Sequence, residues 1–336
     1  MSSKMKDGRV SVVVPVYNAA STLEMCALSI LGQSYNDVQL VLINDGSKDS
    51  SIDICHKLAE NYNNVLVIDK PNEGVSATRN KGIEACDGQY VMFVDSDDYI
   101  EKDMVEAMVS KLLTDNADLC MCGITIHKEG EESIKPLMDG HVRGKENIAE
   151  KVFELYKTNY INSPCNKLYK KELIAEGFSK DISLGEDLLF NLDYLENCNS
   201  VTFIDKGFYH YQFVNNQSLT SKYREDSFKI ALRLYEAVTG YGNKFGVSFD
   251  SQVSARDVFM NIIFYSIQDL YYYSKEDKKY KRDTLKAIVD NPRVREVVDA
   301  LGDINGQQKL VARFISKNNL FLIRMFFRIK KFIARA

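Results

Sequence analysis

The stretch Tyr90-Val91-Met92-Phe93-Val94-Asp95-Ser96-Asp97-Asp98 decides how the rest of the chain reads. Five apolar or aromatic residues run without interruption into three carboxylates within four positions. An unbroken apolar run of strand length predicts a strand buried on both faces, as in a parallel sheet. Its carboxyl end then carries concentrated negative charge, at the place where open α/β sheets hold their ligands. Close carboxylates repel one another unless a cation neutralises them, and hard divalent cations take oxygen ligands. The alternative is a polar turn, which favours Asp, leading into an Asp-capped helix that begins near Glu101.

Working outward, the pattern repeats. Val10 to Val14 is a β-branched run that Pro15 is expected to stop. Val38 to Ile43 and Val65 to Ile68 read as further strands, and Ala117 to Ile124 as another beyond the opening stretch. Between them, Leu23, Cys26, Ala27, Ile30 and Leu31 fall at helical spacing, as do Ile52, Cys55, Leu58 and Ala59. A helix follows Gly74, and another is expected near Asp103 to Thr114. Strands alternating with helices across short connections predict a Rossmann-like, mostly parallel sheet with helices on both faces. After Ile126 the regularity ends. Lys128 to Lys145 is charged and reads as a mobile excursion, followed by a helix near Asn147 to Lys157. Glu186 to Leu195 is expected to be helical, Val201 to Ile204 and Phe208 to Phe213 are strands, and everything from about Tyr223 is helical. The domains expected are 1–222, divided into a nucleotide-binding half 1–126 and an acceptor half 127–222, and a helical region 223–336.

Composition excludes several classes. A 336-residue chain with 45% hydrophobic residues can bury a sizeable core. Its net charge of −4 gives no general case for nucleic acid. Seven scattered Cys residues show no paired spacing, so Cys120 and Cys122 read as core thiols in a reducing compartment. The polar opening Met1 to Arg9 does not resemble a signal peptide, and no apolar run reaches the roughly 18 residues of a membrane span. The expectation is a cytoplasmic protein.

The informative side chains sit at corresponding places. Asn18, Asp45, Asn72 and Asp95 to Asp98 each follow the carboxyl end of a predicted strand, and in one parallel sheet those ends share an edge. Arg79 lies about one turn inside the helix that begins near Gly74. A helix N-terminus and an Arg fork both suit phosphate, although an exposed helical Arg is equally common. Phosphate oxygens and carboxylates together build a divalent-cation site.

With these motifs in place the chain resembles family 2 glycosyltransferases of the GT-A fold. The resemblance rests on Pro15-Val16-Tyr17-Asn18, Asn44-Asp45-Gly46-Ser47 with Asp49 and Ser51, and Asn72 through Gly82. It also includes Asp95-Ser96-Asp97-Asp98, Glu186-Asp187, Tyr209-His210-Tyr211 and Asn216 to Thr220, covering about residues 9–222. Asn44 departs from the Asp that relatives often carry there. The resemblance implies that Pro15, Val16, Tyr17, Asn18 and Asp45 hold the nucleobase and ribose. Asn72, Gly74, Arg79 and Ser96 would line the donor site, with Arg79 near the diphosphate. Asp95 would touch the ribose or a metal water, and Asp97 would bind Mn²⁺ or Mg²⁺ with the diphosphate. Asp187, with Glu186 beside it, would be the general base, while His210 is either a diphosphate contact or a packed imidazole. The implied reaction is an inverting transfer of a sugar from a nucleotide-diphospho-sugar, UDP by family frequency, to a hydroxyl of a glycan or polyprenyl-linked acceptor in bacterial surface polysaccharide synthesis. A scaffold that binds nucleotide-sugar without catalysis and a nucleotidyltransferase are the competing readings.

The chain closes with a different signal. Arg324, Arg328, Lys331 and Arg335 share one helical face, with Leu322, Met325, Phe326, Ile329, Phe332 and Ile333 mostly opposite. Such a helix, spanning 320–336, can lie in an anionic membrane surface at the inner face of the cell membrane, or dock on the domain or on a partner subunit with its basic face solvated.

Overall fold

A computed structural model describes residues 6–135, 137–182, 184–213, 224–302 and 304–333. Two compact units divide the chain. The first comprises Met1–Ile148 and Asn162–Asn215, the second Ala149–Ile161 and Asn216–Ala336.

The first unit is built on a ten-stranded sheet. Its opening half alternates strictly: β1 (Lys6–Val16), α1 (Leu23–Leu31), β2 (Val38–Asp45), α2 (Ser51–Asn61), β3 (Val65–Lys70), α3 (Val75–Ala85) and β4 (Gly88–Phe93). Then come β5 (Tyr99–Ile100), α4 (Met104–Thr114), β6 (Leu119–Lys128), β7 (Glu131–Lys135), β8 (Gly140–Arg143) and α5 (Lys145–Lys157), which from Ala149 onward belongs to the second unit. Finally β9 (Lys167–Lys170), α6 (Glu186–Asn197) and β10 (Ser200–Phe213) complete it. The order is β3-β2-β1-β4-β9-β6-β10-β5, with β7 added to β6 and β8 to β10. Strands β3, β2, β1 and β4 are all parallel, so their carboxyl ends meet at one edge. Val12, Val13, Val14, Leu40, Val41, Leu42, Val91, Met92 and Phe93 are fully buried there. Each large aliphatic side chain so buried contributes about 1.5–3 kcal/mol, well above any single strand propensity.

Three features differ from the sequence-based expectation. Strand β1 continues through Pro15, which pairs with Ile43 of β2. The flank toward β4 has ended by then, the last pair being Val13 with Phe93, so the missing N–H of Pro15 leaves no ladder bond unmade. The sheet is mostly parallel, as expected, with β9 inserted antiparallel between β4 and β6. The charged segment after Ile126 is ordered as β7 and β8. Glu129 and Gly130 both have positive φ, the turn a tight hairpin requires, and the charges belong to an exposed edge strand. Strand β10 joins the two strands expected near its position, with a register shift between Ile204 and Tyr209.

All seven cysteines are buried free thiols, including Cys120 and Cys122 in β6. The residues expected to end the family pattern, Asn216 to Thr220, and the last basic residue of the tail, Arg335, lie outside the described residues.

The second unit is helical: α7 (Ser227–Lys244), α8 (Val253–Tyr272), α9 (Lys278–Asp290), α10 (Pro292–Val298), α11 (Gly306–Ser316) and α12 (Leu320–Ile333). Phe259, Met260, Ile263 and Ile267 of α8 are fully buried at its centre. Tyr235 of α7 stacks on Phe259 at 4.5 Å. A reciprocal cap between Asn305 and Gln308 starts α11, and Pro292 starts α10.

Helix α3 lies unusually close to the sheet because its inner face is small: Ser76, Ala77, Thr78 and Gly82. A Cβ on Gly82 would stand 2.2 Å from Cγ1 of Val13. Gly82→Ala is therefore expected to destabilise the protein by about 1–3 kcal/mol through overpacking. Gly240→Ala, in α7 with open space around the added methyl, is expected to stabilise it by up to about 1 kcal/mol. Chemical denaturation of the two variants beside the parent measures both signs.

Candidate active site

The loops at the carboxyl edge of β1 to β4 are tied to one another. Asn18, held at a positive φ of 49°, accepts from the Lys48 backbone N–H at 2.8 Å, while its own N–H donates to Ser47 Oγ at 3.0 Å. The Asp49 carboxylate accepts from the Ala20 N–H and from Ser51. Asp45, the last residue of β2, has both oxygens engaged, by Lys70 and by the N–H groups of Glu73 and Gly74 at 2.9 and 3.0 Å. Burial pushes its carboxyl up, but the Lys70 ammonium and the Glu73 N–H outweigh it and bring it below the usual value. Asn72 donates to the Asp45 carbonyl, so the β2 and β3 loops form one ledge. Asn44 is buried against Asp69. Val16 points into the core, whereas Tyr17 is 49% exposed at the rim.

Arg79 is the centre of the edge. It lies in the second turn of α3, begun by Gly74 at φ 88°, and is only 4% exposed. One terminal nitrogen donates to Asp187 at 2.6 Å and lies 3.7 Å from Glu186; the other donates to Asp95 at 3.0 Å. Its guanidinium rests 5.3 Å above the ring of Phe178. Phe178 stacks on Phe190 at 4.0 Å and is clasped by Asn80, whose side chain bonds both its N–H and its carbonyl. Burial opposes the charge of Arg79, and Asp187 and Asp95 more than compensate, so its pKa is raised. The Nε atom is buried with no partner. The sequence-based expectation of a fork available to an anion therefore does not describe this arrangement, because carboxylates occupy both terminal nitrogens.

Glu186 and Asp187 open α6 after Gly185, which adopts the left-handed conformation at φ 90°. Their charge suits the helix N-terminus. The Asp187 side chain keeps 20% of its surface exposed, yet protein packs closely around the carboxylate. Burial is the largest influence on Asp187 and raises its pKa; Arg79 opposes this, while Glu186 and Asp95 add to it.

The acidic loop separates its members. Asp98 is buried and takes hydrogen bonds from the Tyr209 hydroxyl and the Gln212 N–H, an anchor rather than a ligand. Burial, then the charge of Asp95, lift its carboxyl to about 8. Asp97 is exposed at the rim, and its carboxyl is raised by desolvation and by Asp95. Ser96 is half-buried between them. Among the described residues no group of three or more His, Cys, Asp or Glu is placed to hold a metal alone. The donor set nevertheless fits a hard cation. Asp95 and Asp97 offer carboxylate oxygens, and one guanidinium does not neutralise Asp95, Asp97, Glu186 and Asp187 together. Mg²⁺-type sites with one or two carboxylates are completed by substrate phosphates.

His210 does not join this group. Strand alternation turns it away from Tyr209. Its Nε2 meets Glu101 at 2.8 Å, its Nδ1 meets His127 at 2.8 Å, and its ring stacks on Tyr99 at 4.3 Å. The period-two alternation of Tyr209-His210-Tyr211 carried that information. Lys70 and Phe178 support the site without having been singled out, and Asn80 and Tyr209, quoted only as motif residues, support it as well. Lys70 could be found only from the register that sets it beside Asp45.

Comparison with known proteins identifies the family. The family model described as glycosyl transferase family 2 matches residues 11–178. The uncharacterized glycosyltransferase EpsJ of Bacillus subtilis is 30% identical over 244 residues, 71% of this chain and 71% of that protein. The S. aureus TarS 1-349 structure in complex with UDP-GlcNAc superposes with a TM-score of 0.71 at 18% identity, over 96% of this chain and 92% of that one. The mannosyltransferase PcManGT of Pyrobaculum calidifontis, in complex with GDP-Man and Mn²⁺, gives 0.51 at 14% identity, over 93% and 87%. With a GT-A sheet, an acidic loop at its carboxyl edge and a family match over half its length, the chain belongs to glycosyltransferase family 2.

Proposed function

We propose that the protein transfers a sugar, with inversion, from a UDP-sugar to a hydroxyl of a lipid-linked glycan in bacterial surface polysaccharide synthesis. The single observation that carries the chemistry is the buried Arg79 bridge, which holds Asp187 and Asp95 on either side of one guanidinium. A base and an acidic donor-binding loop are thereby fixed at one edge. UDP as the nucleotide is supported by the structural neighbour that binds UDP-GlcNAc.

Each residue has a defined task. The ledge built by Asn18, Asp45, Asn72 and Gly74, with Tyr17 at its rim, receives the nucleoside. Asp97, with Asp95, would hold Mn²⁺ or Mg²⁺, which when bound supplies positive charge for the departing diphosphate. Asp187 takes the proton from the acceptor hydroxyl as its oxygen attacks the anomeric carbon. Arg79 orients that carboxylate and keeps it from turning away, while Glu186 raises its basicity by like-charge proximity. One displacement by a single base inverts the anomeric centre. The lipid-linked acceptor accords with the basic amphipathic tail, which would keep the protein peripheral at the inner face of the cell membrane.

Asp187→Asn is expected to lower transfer by about 10²–10⁴-fold while leaving donor affinity nearly unchanged. In the parent, kcat/KM should rise with pH through a limb above the ordinary carboxylate range of about 4, because the base works only when deprotonated and burial raises its pKa. Transfer assays across pH, with donor titrations of the variant, check both; a variant that turns over normally removes Asp187 as the base. Slow donor hydrolysis by the parent, absent from a pure binder, separates an enzyme from a scaffold.

Arg79→Ala leaves three carboxylates facing one another without their cation. A stability loss of about 3–5 kcal/mol is expected, relieved at low pH where the carboxylates protonate. Denaturation at two pH values measures it. For the cation, the thermal stabilisation given by UDP-sugar with Mn²⁺ should disappear with chelator and in Asp97→Ala. Undiminished stabilisation in that variant would assign the cation to other residues.

A further inference from the structure

The last helix has two apolar faces, and the second unit uses only one. Ile323 and Phe327 of α12 are fully buried against α8, where Phe327 meets Phe264 at 5.2 Å and stacks on Tyr271. Lys331 caps the end of α8 by donating to the carbonyls of Tyr271 and Tyr272. These contacts account for how α12 is held. On the opposite side Phe321, Met325, Ile329 and Phe332 recur at steps of four, four and three, forming a single stripe. Phe321 is 68% exposed, Phe332 74% and the adjoining Ile333 67%. An unbroken apolar stripe of this kind marks an interaction face.

Charge identifies what covers it. Arg324 and Arg328 border the stripe and also line a cavity of about 210 Å³ whose remaining wall is Tyr271, Glu276, Lys278 and Lys281. Among the described residues none of these four cations is paired with a carboxylate. Among the described residues the buried Tyr271 hydroxyl has no hydrogen-bond partner. Four basic groups and an unsatisfied hydroxyl beside an apolar ridge match a phosphate beside an acyl chain. Among the described residues no helix is long and apolar enough to cross a membrane, so α12 would lie in the plane of the surface.

We infer that the second unit docks on an anionic lipid bilayer through α12. Phe321, Met325, Ile329 and Phe332 enter the acyl boundary, and the Arg324–Arg328–Lys278–Lys281 cavity receives a lipid phosphate. This specifies the membrane placement proposed above and uses none of the residues assigned to sugar transfer. A second copy of the chain is the competing occupant. It would bring the same four cations against themselves across a symmetric contact.

The full chain is tested by flotation with vesicles of phosphatidylcholine alone and of an equal mixture of phosphatidylcholine and phosphatidylglycerol. The parent should float with the mixed vesicles only, and less as salt rises. The Arg324→Gln, Arg328→Gln double variant should lose about fivefold in affinity per charge removed. The Phe321→Ser, Phe332→Ser double variant should lose binding while keeping its circular dichroism and melting temperature. At matched ionic strength, inorganic phosphate should not displace the parent from vesicles, since the stripe anchors it as well. Failure to float, equal flotation on neutral vesicles, or unchanged binding by both variants overturns the inference. So does a dimer on size exclusion that the Phe variant dissolves. Donor hydrolysis measured alongside keeps the two readings apart. A chain that hydrolyses donor but does not float loses only the membrane, and one that floats without hydrolysis loses only the transfer.

Discussion

The Arg79 guanidinium between Asp187 and Asp95 is the interaction on which the site depends. Arg79 comes from α3 and its partners from the loop after β4 and the start of α6, three segments that nothing local in the chain brings together. A buried cation is costly unless it is paired, and buried carboxylates carry the same cost. Each therefore needs the others, and the arrangement persists because no member can leave alone. The aromatic floor of Phe178, Phe190, Phe93 and Tyr169 supports it from below, and Asn80 clasps Phe178 so that the floor cannot slide.

The sheet makes this geometry possible. Parallel strands β1 to β4 deliver four loops to one edge, and Gly82 lets α3 approach β1 closely. Antiparallel β9 then forms a seam between the half that holds the Asp45 ledge and the half that carries Tyr209, whose hydroxyl reaches Asp98. The same alternation that aims Tyr209 at the acidic loop aims His210 at Glu101 and His127. One strand thus buttresses two separate groups of side chains.

Legibility in the sequence followed the range of the interaction. Buried strands such as Val38–Asp45 announce themselves because both faces need apolar side chains, and the order of motifs along the chain identified the family. Segments 131–135 and 140–143 were not legible, because edge strands carry charge and look like loops. Lys70 and Phe178 were equally silent: ordinary residue types acquire their roles only through register and packing partners far along the chain.

By itself, then, the sequence determined the alternation of elements, the shared carboxyl edge, the acidic loop and the family, since these rest on local periodicity and on the spacing of motifs. Only the tertiary structure decided the surroundings of the carboxylates of Asp95, Asp97 and Asp98. It buried Asp98 on Tyr209, tied Asp95 to Arg79 and left Asp97 at the rim. The physical reason is that charge is placed by its surroundings. Three identical side chains in one short loop differ only in what the rest of the fold sets beside them, and that information is spread over more than a hundred residues of chain.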